Sequence, residues 1–159
     1  MGKIQIYAGK GHGKSPAGLG EAMMAAAAGK HVVIIQFLKG KGITESGFER
    51  RLEPELKIFR FEKSDCDFCK LPEEKQKEEC RNIKNGLNFA RKVLMTGECD
   101  LLVLDEVLGL IDNGIIEEQE LKTVLAAAGE DTNIVLTGIS LNDSIGEMAD
   151  MISCIERIK

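Results

Sequence analysis

The sequence predicts an α/β fold, a mostly parallel sheet with helices on both faces. Three observations carry this. Short apolar, β-branched runs alternate along the chain with longer stretches of helical pattern, the order that builds strand–helix–strand units. Some of those runs, "VVIIQFL" and "LLVLDEV" foremost, are apolar almost without interruption, as strands covered on both faces must be. The first run, finally, passes through a glycine-rich corner, "AGKGHGKS", straight into a helical segment.

Taken in order, residues 3–7 ("KIQIY") alternate as a strand does, and residues 31–38 ("HVVIIQFL") read as a strand in the interior of a parallel sheet. Between them "SPAGLGEAMMAAAAGK" reads as a helix, with Pro16 in the first turn, where a missing N–H costs nothing, and Gly29 at its end. The alanines at 25–28 predict close packing of that helix on the sheet. Residues 40–54 are polar and without period, which predicts a loop near the carboxyl ends of the strands. A third strand follows at 55–61. A long helix is predicted over 72–97, acidic early and basic late as the helix dipole prefers. Residues 100–107 form a strand ending in two carboxylates, 117–129 a helix closed by a glycine, and 133–138 another apolar strand. A short helix over 140–150 and an edge strand over 151–158 complete the pattern.

With 159 residues, the chain is expected to form one domain, 1–159. Its 43% apolar and 30% charged residues fit neither a disordered nor a fibrous class. A net charge of −5, mixed along the chain, argues against nucleic-acid and anionic-membrane partners. Any anion must therefore be captured locally. The start "MGKIQIYAGK" enters a strand pattern with no leader, which makes cytoplasmic the expected location. Five cysteines in such a chain read as reduced thiols. Cys66 and Cys69 form a C-x-x-C whose partners for a four-ligand zinc site are not evident, so they read as loop residues.

The glycine-rich corner carries the chemistry. A loop that leaves a strand and enters a helix points several N–H groups at one spot, which the positive end of the helix also faces, and phosphate fits there. Gly9, Gly11 and Gly13 let the backbone curl, Lys14 reaches phosphate oxygens, and the Ser15 hydroxyl suits Mg²⁺. The segment is a variant of G-x-x-x-x-G-K-[ST]: "GKS" at 13–15 matches, while Ala8 stands where the first glycine is expected. His12 is open between a phosphate contact and a solvent-facing position. Asp105 and Glu106, at the carboxyl end of an apolar strand, stand where such folds bind ligands and complete a Mg²⁺–nucleotide site with Ser15. From these residues alone the chain reads as an ATP-binding P-loop protein of RecA-like architecture. It could be an ATPase, a kinase or a binding protein without catalysis.

"YAGKGHGKSPAGLG", "IIQFLKG", "LLVLDEV" and "IVLTG" followed by "EMADMIS" resemble, in that order and over most of the chain, the P-loop family of ATP:corrinoid adenosyltransferases. That family's loop likewise lacks the first glycine. The resemblance implies transfer of the 5′-deoxyadenosyl group from ATP to the Co(I) centre of a corrinoid, with release of triphosphate, a reaction of cobalamin biosynthesis. It implies that Gly9, Lys10, Gly11, His12, Gly13, Lys14, Ser15 and Pro16 bind the nucleotide, and that Lys14 and Glu106 serve the reaction. Ser15, Asp105 and Glu106 would hold Mg²⁺. It further implies a corrinoid substrate, a reductase supplying Co(I) and a homodimer. Three positions depart from the family pattern: Ile139 replaces an arginine, Pro16 a second hydroxyl residue, and the chain stops at Lys159.

Overall fold

In the computed structural model, which describes residues 2–38 and 47–159, the apolar runs pair into one six-stranded sheet. The strands are β1 (Ile4–Ala8), β2 (Val32–Gln36), β3 (Leu56–Arg60), β4 (Leu101–Asp105), β5 (Asn133–Gly138) and β6 (Met151–Cys154). Their spatial order is β3-β2-β4-β5-β1-β6, and every pairing is parallel. The helices are α1 (Lys14–Ala27), α2 (Glu73–Thr96), α3 (Leu108–Asp112), α4 (Glu118–Leu125) and α5 (Asp143–Gly146).

Side-chain alternation along the strands divides the core. Ile4, Ile6, Val33, Ile35, Leu102, Leu104, Ile134 and Leu136 face one way and pack with Ile83, Leu87 and Ala90 of α2 and Leu121 and Leu125 of α4. Val32, Ile34, Leu101, Val103 and Val135 face the other way, against Ala22 and Leu19 of α1. Both faces are therefore covered, which is why β2 and β4 are buried along their whole length and read as unbroken apolar runs. α1 approaches closely at Gly18, where a Cβ would stand 3.4 Å from both Thr137 Cγ2 and Val103 Cγ1. The Tyr7 hydroxyl latches it to β1 by donating to Glu21 Oε1 at 2.8 Å.

Several details differ from the sequence reading. The helix expected over 117–129 ends at Leu125 with Ala126, not Gly129, at its C-cap, and the strands expected to run to 107 and 158 end at Asp105 and Cys154. Only Ala25 and Ala26 of the alanine run pack on the core; Ala27 and Ala28 are exposed, because α1 turns its last residues away from the sheet. α3 was not anticipated, and neither was the 3-10 turn at Glu49–Leu52 within the expected 40–54 loop, since elements of five and four residues are too short to show a period. Residues 40–46 of that loop lie outside the described residues. The strand expected to run to 38 ends at Gln36, and Leu38 adopts φ 56°, which turns the chain out of the sheet.

Candidate functional site

The loop 9–13 joins β1 to α1 at the carboxyl edge of the sheet. Gly9 (φ 129°) and Gly13 (φ 122°) take backbone conformations that L side chains rarely adopt, and these two reversals turn the chain from strand to helix. Gly13 is also the N-cap of α1 and offers no side chain to the first helical N–H groups; the first turn carries no acidic residue. The helix thus begins as a bare set of donors with its positive dipole end forward. Pro16 fits that turn because its missing N–H is not called upon there. Lys14 is only 8% exposed, and its ammonium group folds back to donate to the Gly11 carbonyl at 3.0 Å. Ser15 is half-buried, while Lys10 and His12 are exposed.

Sequence reasoning missed what lies behind the loop. The segment following β6 runs along it: Ile155 N–H donates to Ala8 O at 2.7 Å and Gly11 N–H donates to Ile155 O at 3.2 Å. A Cβ on Gly9 would stand 2.2 Å from Ile155 O, and one on Gly11 would stand 3.0 Å from the backbone N of Arg157. Glycines 9 and 11 are therefore required by a neighbouring backbone, a constraint that no local pattern in residues 7–20 could signal.

The loop is tied to the two carboxylates through β5. Gly9 N–H donates to Gly138 O at 3.2 Å and Ile139 O at 3.0 Å. One residue earlier, the Thr137 hydroxyl donates to Asp105 Oδ1 at 2.7 Å and accepts from Glu106 N–H at 2.8 Å. Thr137 is thus a second residue the motifs did not single out. Its only sequence signal is a polar side chain in an otherwise apolar strand. Asp105 is buried at 4% exposure, and Glu106 follows β4 in the left-handed region, φ 61°, where the chain leaves the strand. Gly109 packs against the turn-out of β2, where a Cβ would stand 2.8 Å from Leu38 Cδ1, while Glu106 Oε2 lies at an ordinary contact distance of 3.8 Å from the same point. The fold brings the loop, the amino end of α1 and both carboxylates to one edge of the sheet, the place where open parallel sheets bind ligands. Ser15, Asp105 and Glu106 offer hard oxygen donors, a set that suits Mg²⁺ and not a softer metal.

Cys66 precedes a second 3-10 turn, Phe68–Lys70, and Cys69 lies within it; both thiols are exposed, and Cys69 donates to Asn113 Oδ1 at 3.1 Å. Among the described residues no group of three or more His, Cys, Asp or Glu could hold a metal ion. No helix among them is long and apolar enough to cross a membrane.

Beside the turn-out of β2, Glu62 Oε1 accepts from Leu38 N–H at 2.9 Å. Burial pushes the Glu62 carboxyl up to about 7, outweighing the lowering effects of the Leu38 hydrogen bond and of Arg60, and Glu79 adds to the rise. The folded protein then holds a proton that the unfolded chain releases near its ordinary value of 4.5. The stability this gives is present in full below that value and is lost as pH rises through about 7. Denaturant unfolding at about pH 5 and about pH 8 is expected to show wild type losing roughly 1–3 kcal/mol relative to Glu62→Gln. Parallel pH curves for the two proteins would refute it.

A family model described as "ATP:corrinoid adenosyltransferase BtuR/CobO/CobP" matches residues 1–159. The corrinoid adenosyltransferase of Escherichia coli K12 is 26% identical over 158 residues, covering 99% of this chain and 78% of the relative. The corrinoid adenosyltransferase CobA of Salmonella typhimurium LT2 is 25% identical with the same coverage. Among solved structures, a KaiC-like protein of Pyrococcus horikoshii superposes with a TM-score of 0.61 at 15% identity, over 99% of this chain and 74% of that one. That likeness shows the fold alone, a parallel α/β sheet covered by helices.

Proposed function

The chain belongs to the ATP:corrinoid adenosyltransferase family, and from that membership we propose that it moves the 5′-deoxyadenosyl group of ATP to the Co(I) centre of a corrinoid, releasing triphosphate. Residues 1–159 act as one nucleotide-binding domain. The observation that carries the reading is the uncapped amino end of α1 behind a doubly reversed glycine loop, with Lys14 folded over it and two carboxylates on the same edge of the sheet.

In the proposed reaction the cobalt electron pair attacks C5′, a Co–C bond forms, and the C5′–O bond breaks with its electrons leaving on triphosphate. The nucleophile comes with the substrate, so no general base is required, and the protein's work is to position the two substrates and stabilise the leaving group. Gly9 to Ser15 cradle the triphosphate, with Lys14 and Lys10 offsetting its charge and His12 and Pro16 lining the same turn. Ser15, Asp105 and Glu106 hold Mg²⁺, which when bound neutralises charge on the polyphosphate as it departs. Thr137 holds the Asp105 carboxylate in place for that task. A reductant, for which a partner reductase is the expected source, must supply Co(I).

Anaerobic incubation with ATP, Mg²⁺ and chemically reduced cobalamin is expected to give the adenosylcobalamin spectrum and triphosphate in equal amounts. Steady phosphate release from ATP with the cobalamin unmodified would replace the transferase by an ATPase. Glu106→Gln is expected to slow the transfer about tenfold through weaker metal placement, with a nearly flat pH dependence and partial recovery at raised Mg²⁺. A new pH-dependent limb in that variant would instead mark Glu106 as a proton acceptor.

A further inference from the structure

Among the described residues, four buried side-chain atoms have no hydrogen-bond partner: Gln36 Oε1, Glu49 Oε2, Arg60 Nε and Glu62 Oε2. Arg60 ends β3 as the register partner of Gln36, and of the two it is Gln36 that also adjoins β4. It is the last residue of β2, 3% exposed, and its register partner on β4 is Asp105. Val32 and Ile34 precede it on the face that packs against α1, as Leu101 and Val103 precede Asp105. Alternation therefore sets Gln36 and Asp105 side by side on that face, and Asp105 is linked in turn to Thr137. The result is a polar row, Gln36–Asp105–Thr137, across three neighbouring strands. Gly18, one turn after Lys14, touches the Thr137 end of it.

A buried amide oxygen without a donor costs free energy that a leucine of similar volume would not. The neighbour on the other side does not satisfy it. Arg60, the register partner of Gln36 on β3, turns its guanidinium to the Ser64 carbonyl and to Asp65 Oδ1 at 3.3 Å. Phosphate oxygens cannot help, because Oε1 needs a donor and they only accept. The Lys14 ammonium donates to the Gly11 carbonyl and not to Gln36. A donor that fits beside Asp105 at this edge of the sheet is a water held by a divalent cation, since Mg²⁺ keeps several of its waters when it binds through a few carboxylates and phosphates.

We propose that Gln36 is a positioning residue for the metal–nucleotide complex: its Oε1 accepts a hydrogen bond from a metal-bound water and so fixes the cation beside Asp105. This rests on the nucleotide site proposed above and adds to it a group outside the first coordination sphere, of the kind that orients ligands and tunes metal affinity.

The test is Mn²⁺ binding to the full chain in the presence of ATP, followed by the electron paramagnetic resonance of free Mn²⁺. Gln36→Leu is expected to weaken Mn²⁺ retention about tenfold while leaving the affinity for metal-free ATP unchanged. The unfolding temperature of the ligand-free variant should not fall, because the side chain removed had an unmet acceptor. Gln36→Glu keeps an acceptor oxygen and is expected to hold Mn²⁺ at least as well as wild type. Unchanged Mn²⁺ affinity in Gln36→Leu overturns the proposal, as does a lowered unfolding temperature, which would mean that Oε1 is bonded within the fold. Wild-type protein that retains no Mn²⁺ with ATP would overturn the nucleotide reading itself, and this proposal with it.

Discussion

Replacing Lys14 by alanine is expected to weaken MgATP binding roughly 10- to 150-fold, the equivalent of losing one charge-assisted contact worth about 1.5–3 kcal/mol in a partly desolvated site. In the free protein this ammonium is nearly buried and closes on the Gly11 carbonyl, inside the curve that a polyphosphate would fill. Binding exchanges that neutral acceptor for anionic oxygens, and the gain is lost with the side chain. Adenosine, which carries no phosphate, should bind the variant as it binds wild type. Calorimetry that finds the same MgATP affinity in a folded Lys14→Ala protein would remove the loop from the nucleotide site.

The second large effect is expected at Gly9. Gly9→Ala places a methyl group 2.2 Å from the Ile155 carbonyl oxygen, at a residue whose φ of 129° already excludes an ordinary side chain. The chain must either flatten the loop or displace the segment after β6, breaking the Ile155–Ala8 and Gly11–Ile155 hydrogen bonds. A stability loss of about 3 kcal/mol is expected, with MgATP affinity falling alongside. Gly13→Ala is the control. Its φ of 122° is equally unfavourable, but its nearest outside neighbour is Ile155 Cγ2 at 3.7 Å, an ordinary contact. That variant should lose about 1–2 kcal/mol from backbone strain alone. Equal losses at the two positions would show that the packed segment contributes nothing.

The contrast between these glycines marks how far the sequence could be read. Strand and helix order followed from periodicity because each element is long enough to show one, and because a parallel sheet covered on both faces forces β2 and β4 to be apolar throughout. The phosphate-loop pattern was legible for the same reason. Its residues are contiguous, and the strand-to-helix corner they form is a local feature of the chain. α3 was too short to read, and the turn at Glu49–Leu52 shorter still.

By itself, then, the sequence determined the alternating α/β order and marked the glycine-rich corner at 9–15 and the carboxylate pair at 105–106 as the candidate site, all carried by residues adjacent in the chain. The tertiary structure alone decided what holds these parts together. Thr137 reaches Asp105 and Glu106 only because β5 lies beside β4. Glycines 9 and 11 are compelled by a backbone nearly the length of the chain away, where β6 has paired with β1. Gln36 becomes a buried, unsatisfied neighbour of Asp105 only through the β2–β4 register. Local propensity and pattern encode elements one at a time, whereas contacts between strand ends depend on sheet order and register, which no single segment specifies.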